Sequence, residues 1–275
     1  MNSLLRADLN RVFKHKSVVY TMFIVLLAIA LLYAVVVPLI QDFVRNAAET
    51  TPELEAGAGS GFGTPLAYAS LALLLFGNVG FLTCWAVTSV SWADVRSGYD
   101  RTIISSVGKH VYYREKFVLA AIVSAVFTFG VTLIGCIASG IVSGYESIGQ
   151  MSFVSFILWL CLVAIVTWSI ACVSLVVLWY FRNSTLAYLT GFVLATGLLS
   201  TVLGLVIGNI GADAAKAWTE FSKWLPTGSY GALQTFVDGN PDFSGGNLVR
   251  IFVAPVVCLS LSYFLAFNRL TKRDI

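Results

Sequence analysis

The chain has 275 residues, of which 58% are hydrophobic and only 11% are charged. A soluble globular domain carries about 25% charged residues, so this chain has too few charges to cover a surface in contact with water. The composition therefore excludes an ordinary soluble domain and predicts a protein that lies mostly in lipid. The net charge of +3 is small, and we expect no nucleic-acid partner.

Six apolar stretches without Asp, Glu, Lys or Arg are each long enough to cross about 30 Å of hydrocarbon, which takes roughly 20 helical residues. They are residues 18–40, 66–90, 117–143, 151–181, 186–207 and 251–268. Backbone groups in lipid must be paired within their own segment, and such unbroken runs do not suit alternating β-strands. We therefore expect an all-α membrane protein with six transmembrane helices in a single domain, 1–275.

The basic residues are distributed unevenly between the two sides of these six stretches. Most of the 17 Lys and Arg residues lie before the first stretch, after the last, or in the second and fourth connections. The remaining segments hold Arg45, Lys216, Lys223 and Arg250. By the positive-inside rule, both termini are expected on the cytoplasmic side of a bacterial cytoplasmic (inner) membrane.

Residues 1–16 have the pattern of a helix lying in the inner membrane interface. The apolar positions of this segment recur at helical spacing and are Leu5, Leu9, Val12 and Phe13. Basic residues that include Arg11 and Lys14 occupy another face and are expected to anchor it against anionic lipid. The alternative is an ordinary basic flank that orders weakly.

The external loop 208–249 contains a second amphipathic pattern. Apolar residues that end with Phe221 and Trp224 follow helical spacing, and charged residues cluster on the opposite side. This pattern predicts a helix in the outer interface with Phe221 and Trp224 as aromatic anchors. A helix packed on other loops remains the alternative.

The cytoplasmic segment 91–116 predicts a short amphipathic helix between Gly98 and Gly108. Its apolar stripe consists of Tyr99, Ile103, Ile104 and Val107, and Arg101 lies largely outside that stripe. Such a stripe must be buried either on the membrane or in a groove of a partner, and the pattern does not choose between them.

Several functions are poorly supported because the six stretches lack the residue types that those functions need. They have no ionisable Asp, Glu, Lys, Arg or His, so an ion-coupled transporter and an intramembrane protease are poorly supported. The chain has no P-loop and no metal-binding Cys or His motif, so we expect no catalytic residue, metal or cofactor on it. Asn78 and Gln150 either line a translocation path or form interhelical hydrogen bonds.

Four features together resemble a known family. A basic amphipathic helix precedes the first stretch, and an element Trp224-Leu225-Pro226 precedes the last. The second connection holds an acid, an Arg-Ser-Gly stretch, a hydroxyl and aliphatic run, and a closing basic pair, namely Asp94, Arg96 to Gly98, Thr102 to Val107, and Arg114 with Lys116. The tail from Phe267 to Ile275 turns from aromatic to basic to acidic. These features resemble the membrane (permease) subunits of type-two ABC exporters.

The resemblance implies that the segment after the second span is a coupling helix, held in a cleft of a separate ATP-binding subunit. It implies a coupling role for Asp94, Arg96, Gly98, Tyr99, Arg101, Ile103, Ile104, Val107, Arg114 and Lys116. It also implies a dimer with a second permease copy or paralogue, and ATP with Mg²⁺ on the partner subunit. The expected function is export of a hydrophobic or amphipathic substrate, such as an antimicrobial peptide or drug. A membrane assembly or sensor subunit and an ATP-independent facilitator are the alternatives.

Overall fold

The computed structural model describes residues 3–14, 16, 19–20, 23–24, 27, 78–143, 153–225, 228–229 and 245–270. These residues are helical almost throughout and include no strand, which confirms the predicted all-α class. Three of their helices are long and apolar enough to cross a membrane, over Lys109–Leu133, Phe156–Phe181 and Val249–Asn268. Most of the predicted span 18–40 and the first part of 66–90 lie outside the described residues, so the six-span arrangement stays a prediction.

The helices of the described residues are numbered in chain order. They are α1 (Ser3–Lys14), α2 (Asn78–Ser97), α3 (Tyr99–Val107), α4 (Lys109–Ser143), α5 (Phe153–Phe181), α6 (Ser184–Thr196), α7 (Leu198–Gly208), α8 (Ala212–Ser222) and α9 (Gly245–Leu265), which continues into a π-helical segment, Ala266–Leu270.

Two helices extend beyond the predicted spans at the same end of the bundle. Helix α2 continues past the predicted end at 90 to Ser97, and α4 begins at Lys109, before the predicted start at 117. The apolar runs mark where the chain is suited to hydrocarbon, but a helix continues until a residue breaks it. Gly98 and Gly108 are those residues, with φ angles of 70° and 87° that favour glycine.

The predicted span over 186–207 is not one straight helix, because the structure divides it at Gly197 into two helices that are together long and apolar enough for one bent span. Helices α6 and α7 meet there at an angle of 69°. Gly197 has a φ of 72° and both ends α6 and begins α7. Its carbonyl accepts hydrogen bonds from the hydroxyls of Ser200 (2.8 Å) and Thr201 (3.2 Å). These bonds satisfy backbone polarity at a break that would otherwise be costly in lipid.

Helix α5 lies at the centre of the bundle and packs against α2, α4, α6 and α9. Its buried side chains include Trp159, Ile170 and Leu175. Hydroxyl groups also join the helices, since Ser174 Oγ donates to the carbonyl of Ala187 on α6 at 2.7 Å. Such bonds replace water as partners for polar groups in an apolar bundle.

The contact between α2 and α6 depends on the absence of a side chain at Gly191. A Cβ atom added there would lie 2.8 Å from Cys84 Cβ and 3.1 Å from Cys84 Sγ. Real Cβ atoms do not approach so closely, so any larger residue must push the two helices apart. Gly130 of α4 is a useful contrast, because nothing lies within 4 Å of a Cβ built on it.

We predict that Gly191→Ala lowers the free energy of unfolding by about 1–3 kcal/mol, because overpacking forces α2 and α6 apart. Gly130→Ala is the matched control and should be neutral or stabilising by up to about 1 kcal/mol, since alanine favours the helix. Thermal unfolding of both purified variants in detergent measures the difference. Equal unfolding temperatures for the two variants would contradict the close approach.

Candidate functional site

Charged residues from three helices meet at the end of the bundle where α2 ends and α4 begins. Lys116 of α4, Asp94 of α2 and Asp8 of α1 have side-chain exposures of 0%, 2% and 1%. Lys116 Nζ lies 2.7 Å from Asp94 Oδ2 and 2.8 Å from Asp8 Oδ2. Buried charges are tolerated when they are paired, and here one ammonium is shared by two carboxylates.

Arg11 of α1 completes this cluster from the solvent side. Its Nη1 donates to Asp94 Oδ1 at 2.6 Å and lies 3.8 Å from Asp8 Oδ1. When all four groups are ionised they carry two positive and two negative charges, so the cluster is then neutral as a whole. Because its members come from three helices, the cluster fixes α1 against the ends of α2 and α4. We call Asp8, Arg11, Asp94 and Lys116 the charge cluster.

The two carboxylates of the charge cluster are not equivalent. Asp94 accepts hydrogen bonds from both Arg11 and Lys116. Neither oxygen of Asp8 accepts a well-directed hydrogen bond, although Lys116 is close. Burial raises the pKa of the Asp8 carboxyl above its ordinary value, since the attraction of Lys116 offsets only part of the cost of desolvation.

Asp8 was missed by the sequence reasoning, although a signal for it exists. The face of α1 that is buried consists of Leu5, Asp8 and Val12, which are spaced by three and four residues. Leu9 is half-buried and Phe13 is exposed, so the buried face differs from the predicted one. A carboxylate at a position that continues an apolar helical face indicates that a cation is buried beside it.

Helix α3 lies beside the charge cluster and has two different faces. Asp100 and Ile103 are buried, and Ile103 is only 6% exposed. Tyr99 is 47% exposed and Val107 is 42% exposed, and Arg101 is exposed as well. The Arg11 guanidinium lies over the Tyr99 ring, 5.6 Å from its centroid. The predicted apolar stripe is therefore split, with Ile103 facing the chain's own core and Val107 facing outward.

The other predicted site residues are placed as follows. Arg96 and Arg114 are exposed on α2 and α4, Ile104 is half-buried, and Lys14 is exposed at the end of α1. Asn78 begins α2, but its side chain is outside the described residues, as is all of Gln150.

The predicted external anchors lie on and just after α8. Phe221 and Trp224 are exposed, and the Arg250 guanidinium lies 5.7 Å from the centroid of the Trp224 ring. The Trp218 indole donates to the Ser200 carbonyl at 3.1 Å, which attaches α8 to α7. Phe221 and Trp224 keep their exposed aromatic surfaces, as an interfacial position requires.

A second pair of charges was also missed. Asp100 of α3 is buried, and its Oδ2 lies 4.0 Å from Nη2 of Arg182, in the connection between α5 and α6. The two residues are far apart in sequence, and no spacing rule relates them. The pairing depends on how α3 is folded back on the bundle.

We predict that Asp94→Asn lowers the free energy of unfolding by about 3–5 kcal/mol, because it leaves Lys116 and Arg11 without their best partner. Asp213→Asn makes the same chemical change at an exposed site of α8 and should change stability by no more than about 0.5 kcal/mol. Denaturant or thermal unfolding of the purified chain measures both. A mild effect of Asp94→Asn would show that the buried pairing is not formed.

We predict that Asp8→Asn, unlike Asp94→Asn, does not lower the stability of the chain at pH 7, and that its effect on stability depends on pH. The pKa of Asp8 is higher in the folded than in the unfolded chain, so the folded wild type binds this proton more tightly. The wild type therefore loses stability as pH rises through the folded-state pKa, whereas the asparagine variant does not. At pH 7 Asp8→Asn should be at least as stable as the wild type, and its advantage should shrink at low pH. Unfolding temperatures measured across pH test this, and a difference that does not vary with pH would disprove it.

No protein-family model matches this chain, and no curated protein matches it. The likeness to type-two ABC exporters therefore remains a resemblance carried by the motifs around Asp94, Trp224 and the tail. Any functional conclusion must come from the geometry of α1, α3 and the residues around them.

Proposed function

We propose that this chain is the permease subunit of a type-two ABC exporter in a bacterial cytoplasmic membrane. It would have six spans with both termini in the cytoplasm, and would pair with a second copy or a paralogue. A separate subunit would bind ATP and Mg²⁺ and supply the energy. The cargo would be a hydrophobic or amphipathic molecule, such as an antimicrobial peptide or a drug.

The observation that carries the proposal is the arrangement of helix α3. It is a separate short helix at the end of the bundle, between two glycines with positive φ. Its inner side is fixed by buried Ile103 and Asp100, while Arg101 and Val107 are exposed on its outer side. A helix held firmly on one side and presented on the other is suited to receive force from a partner.

The charge cluster supports the same proposal, because it determines what would move when α3 is displaced. Helix α3 is joined covalently to α2 through Gly98 and to α4 through Gly108. Asp94 and Lys116 lie close to those joints and are bound to each other and to α1. A displacement of α3 would therefore move the ends of α2 and α4 together with α1, as in rigid-body switching.

The chemistry of the helices supports an apolar or amphipathic cargo. The predicted spans contain no charged residue, so they offer no partner for a strongly charged solute. Their chemical groups are aliphatic and aromatic side chains with scattered hydroxyls. Asn78 and Gln150 remain predicted positions on the path.

We predict that Arg101→Glu and Val107→Asp reduce co-purification of the ATP-binding subunit by about tenfold, since both change the exposed side of α3. Lys216→Glu is the control, because it reverses an exposed charge on α8, at the opposite end by the positive-inside rule. Affinity purification from native membranes with mass spectrometry gives the readout. Ile103→Asp is a poorer test, because it would disturb the packing of the chain itself.

The same experiment separates the alternatives. Failure of the wild-type chain to retain any ATP-binding protein would contradict the proposal and favour an assembly or sensor subunit. An ATP-independent facilitator would instead show solute flux in liposomes that contain the purified chain alone. The permease proposal expects the chain alone to be inactive and the complex to hydrolyse ATP.

A further inference from the structure

The connection between α5 and α6 consists of Arg182 and Asn183, and its backbone is unusual. Arg182 has a φ of 50°, and among the described residues no other non-glycine residue has a positive φ. Its N–H donates to the Leu178 carbonyl at 2.8 Å, which closes the end of α5. The Asn183 side chain accepts hydrogen bonds from the backbone N–H groups of Thr185 (2.9 Å) and Leu186 (3.3 Å), which begins α6.

This backbone favours glycine or asparagine at position 182, because a left-handed φ crowds any larger residue. The presence of an arginine at this strained position indicates that its side chain has a role. That side chain is directed toward helix α3, where Nη2 lies 4.0 Å from Asp100 Oδ2. Asp100 is buried and lies in the first turn of α3, where a negative charge is favoured by the helix dipole.

The pair joins parts of the chain that have no covalent connection nearby. Helix α3 is continuous with α2 and α4, which pack against α5, whereas the ion pair with Arg182 joins α3 directly to the turn between α5 and α6. Helices α5 and α6 themselves are tied together by the Ser174 to Ala187 hydrogen bond. A force on Arg182 would therefore act on both helices at their shared corner.

We propose that Arg182 is a positioning residue through which a displacement of α3 reaches the corner of α5 and α6. This inference rests on the proposed function, since it assumes that a partner moves α3. The charge cluster carries the displacement to α1, α2 and α4, and the Asp100–Arg182 pair carries it to the other side of the bundle. Without the pair, α6 follows a displacement of α3 less closely, through its packing against α2 and α5 alone.

The test uses the complex of the chain with its co-purified ATP-binding subunit in lipid nanodiscs. A fluorescent non-natural amino acid at Leu189, an exposed position on α6, reports motion of that helix when ATP is added. Arg182→Gly removes the guanidinium but also relieves the strain of the left-handed backbone, so the gain offsets the lost ion pair and the variant should fold with little change in unfolding temperature. Its fluorescence response to ATP should fall about fivefold or more, while the ATP-binding subunit stays bound. Arg182→Lys should restore much of the response, because the positive charge returns.

A normal response at Leu189 in Arg182→Gly, with the ATP-binding subunit bound, would overturn the inference and leave the proposed function intact. A wild-type chain that binds no such subunit would instead contradict the proposed function. The ion pair itself is tested without any partner, by the unfolding temperatures of Asp100→Asn, Arg182→Gln and the double variant of the purified chain. Non-additive shifts are expected, and strictly additive shifts would also overturn the inference.

Discussion

Lys116 holds a positive charge where water is excluded, and two carboxylates from other helices neutralise it. The arrangement at this end of the bundle depends on that interaction, because an unpaired buried ammonium would cost several kcal/mol. It places α1 against α2 and α4, since α1 supplies Arg11 to Asp94 and Asp8 to Lys116. It also holds together the ends of α2 and α4, to which the short helix α3 is joined.

The sequence predicts the helical class well, because long uncharged runs have no alternative to helices in lipid. It predicts only some of the positions where helices end or bend. Gly197 breaks a helix, whereas Gly130 and Gly191 lie inside helices that continue. A glycine permits a break without requiring one, and the surrounding packing decides. The short helix between Gly98 and Gly108 was foreseen because two glycines bracket an apolar stripe.

The candidate site could be predicted only in part, because its contacts also depend on how the helices pack. Local spacing assigned Ile103 and Val107 to one face, but the fold of α3 onto the bundle buries the first and exposes the second. Asp94 and Lys116 were predicted as site residues of the segment 91–116, yet their cluster with Asp8 and Arg11 depends on tertiary contact with α1. The Asp100–Arg182 pair likewise joins segments that no periodicity relates. Charges that are remote in sequence find partners only after the helices have packed.

The bend at Gly197 leaves α6 too short to cross a bilayer alone. Its 13 residues rise about 20 Å, whereas the hydrocarbon is about 30 Å thick. Helix α7 follows at 69°, and the two helices together are long and apolar enough for one bent span. A bent span of this kind crosses the hydrocarbon only if both halves are inclined to the membrane normal. In such a span Gly197 lies within the apolar layer, where the hydroxyls of Ser200 and Thr201 take the place of water as partners for its carbonyl.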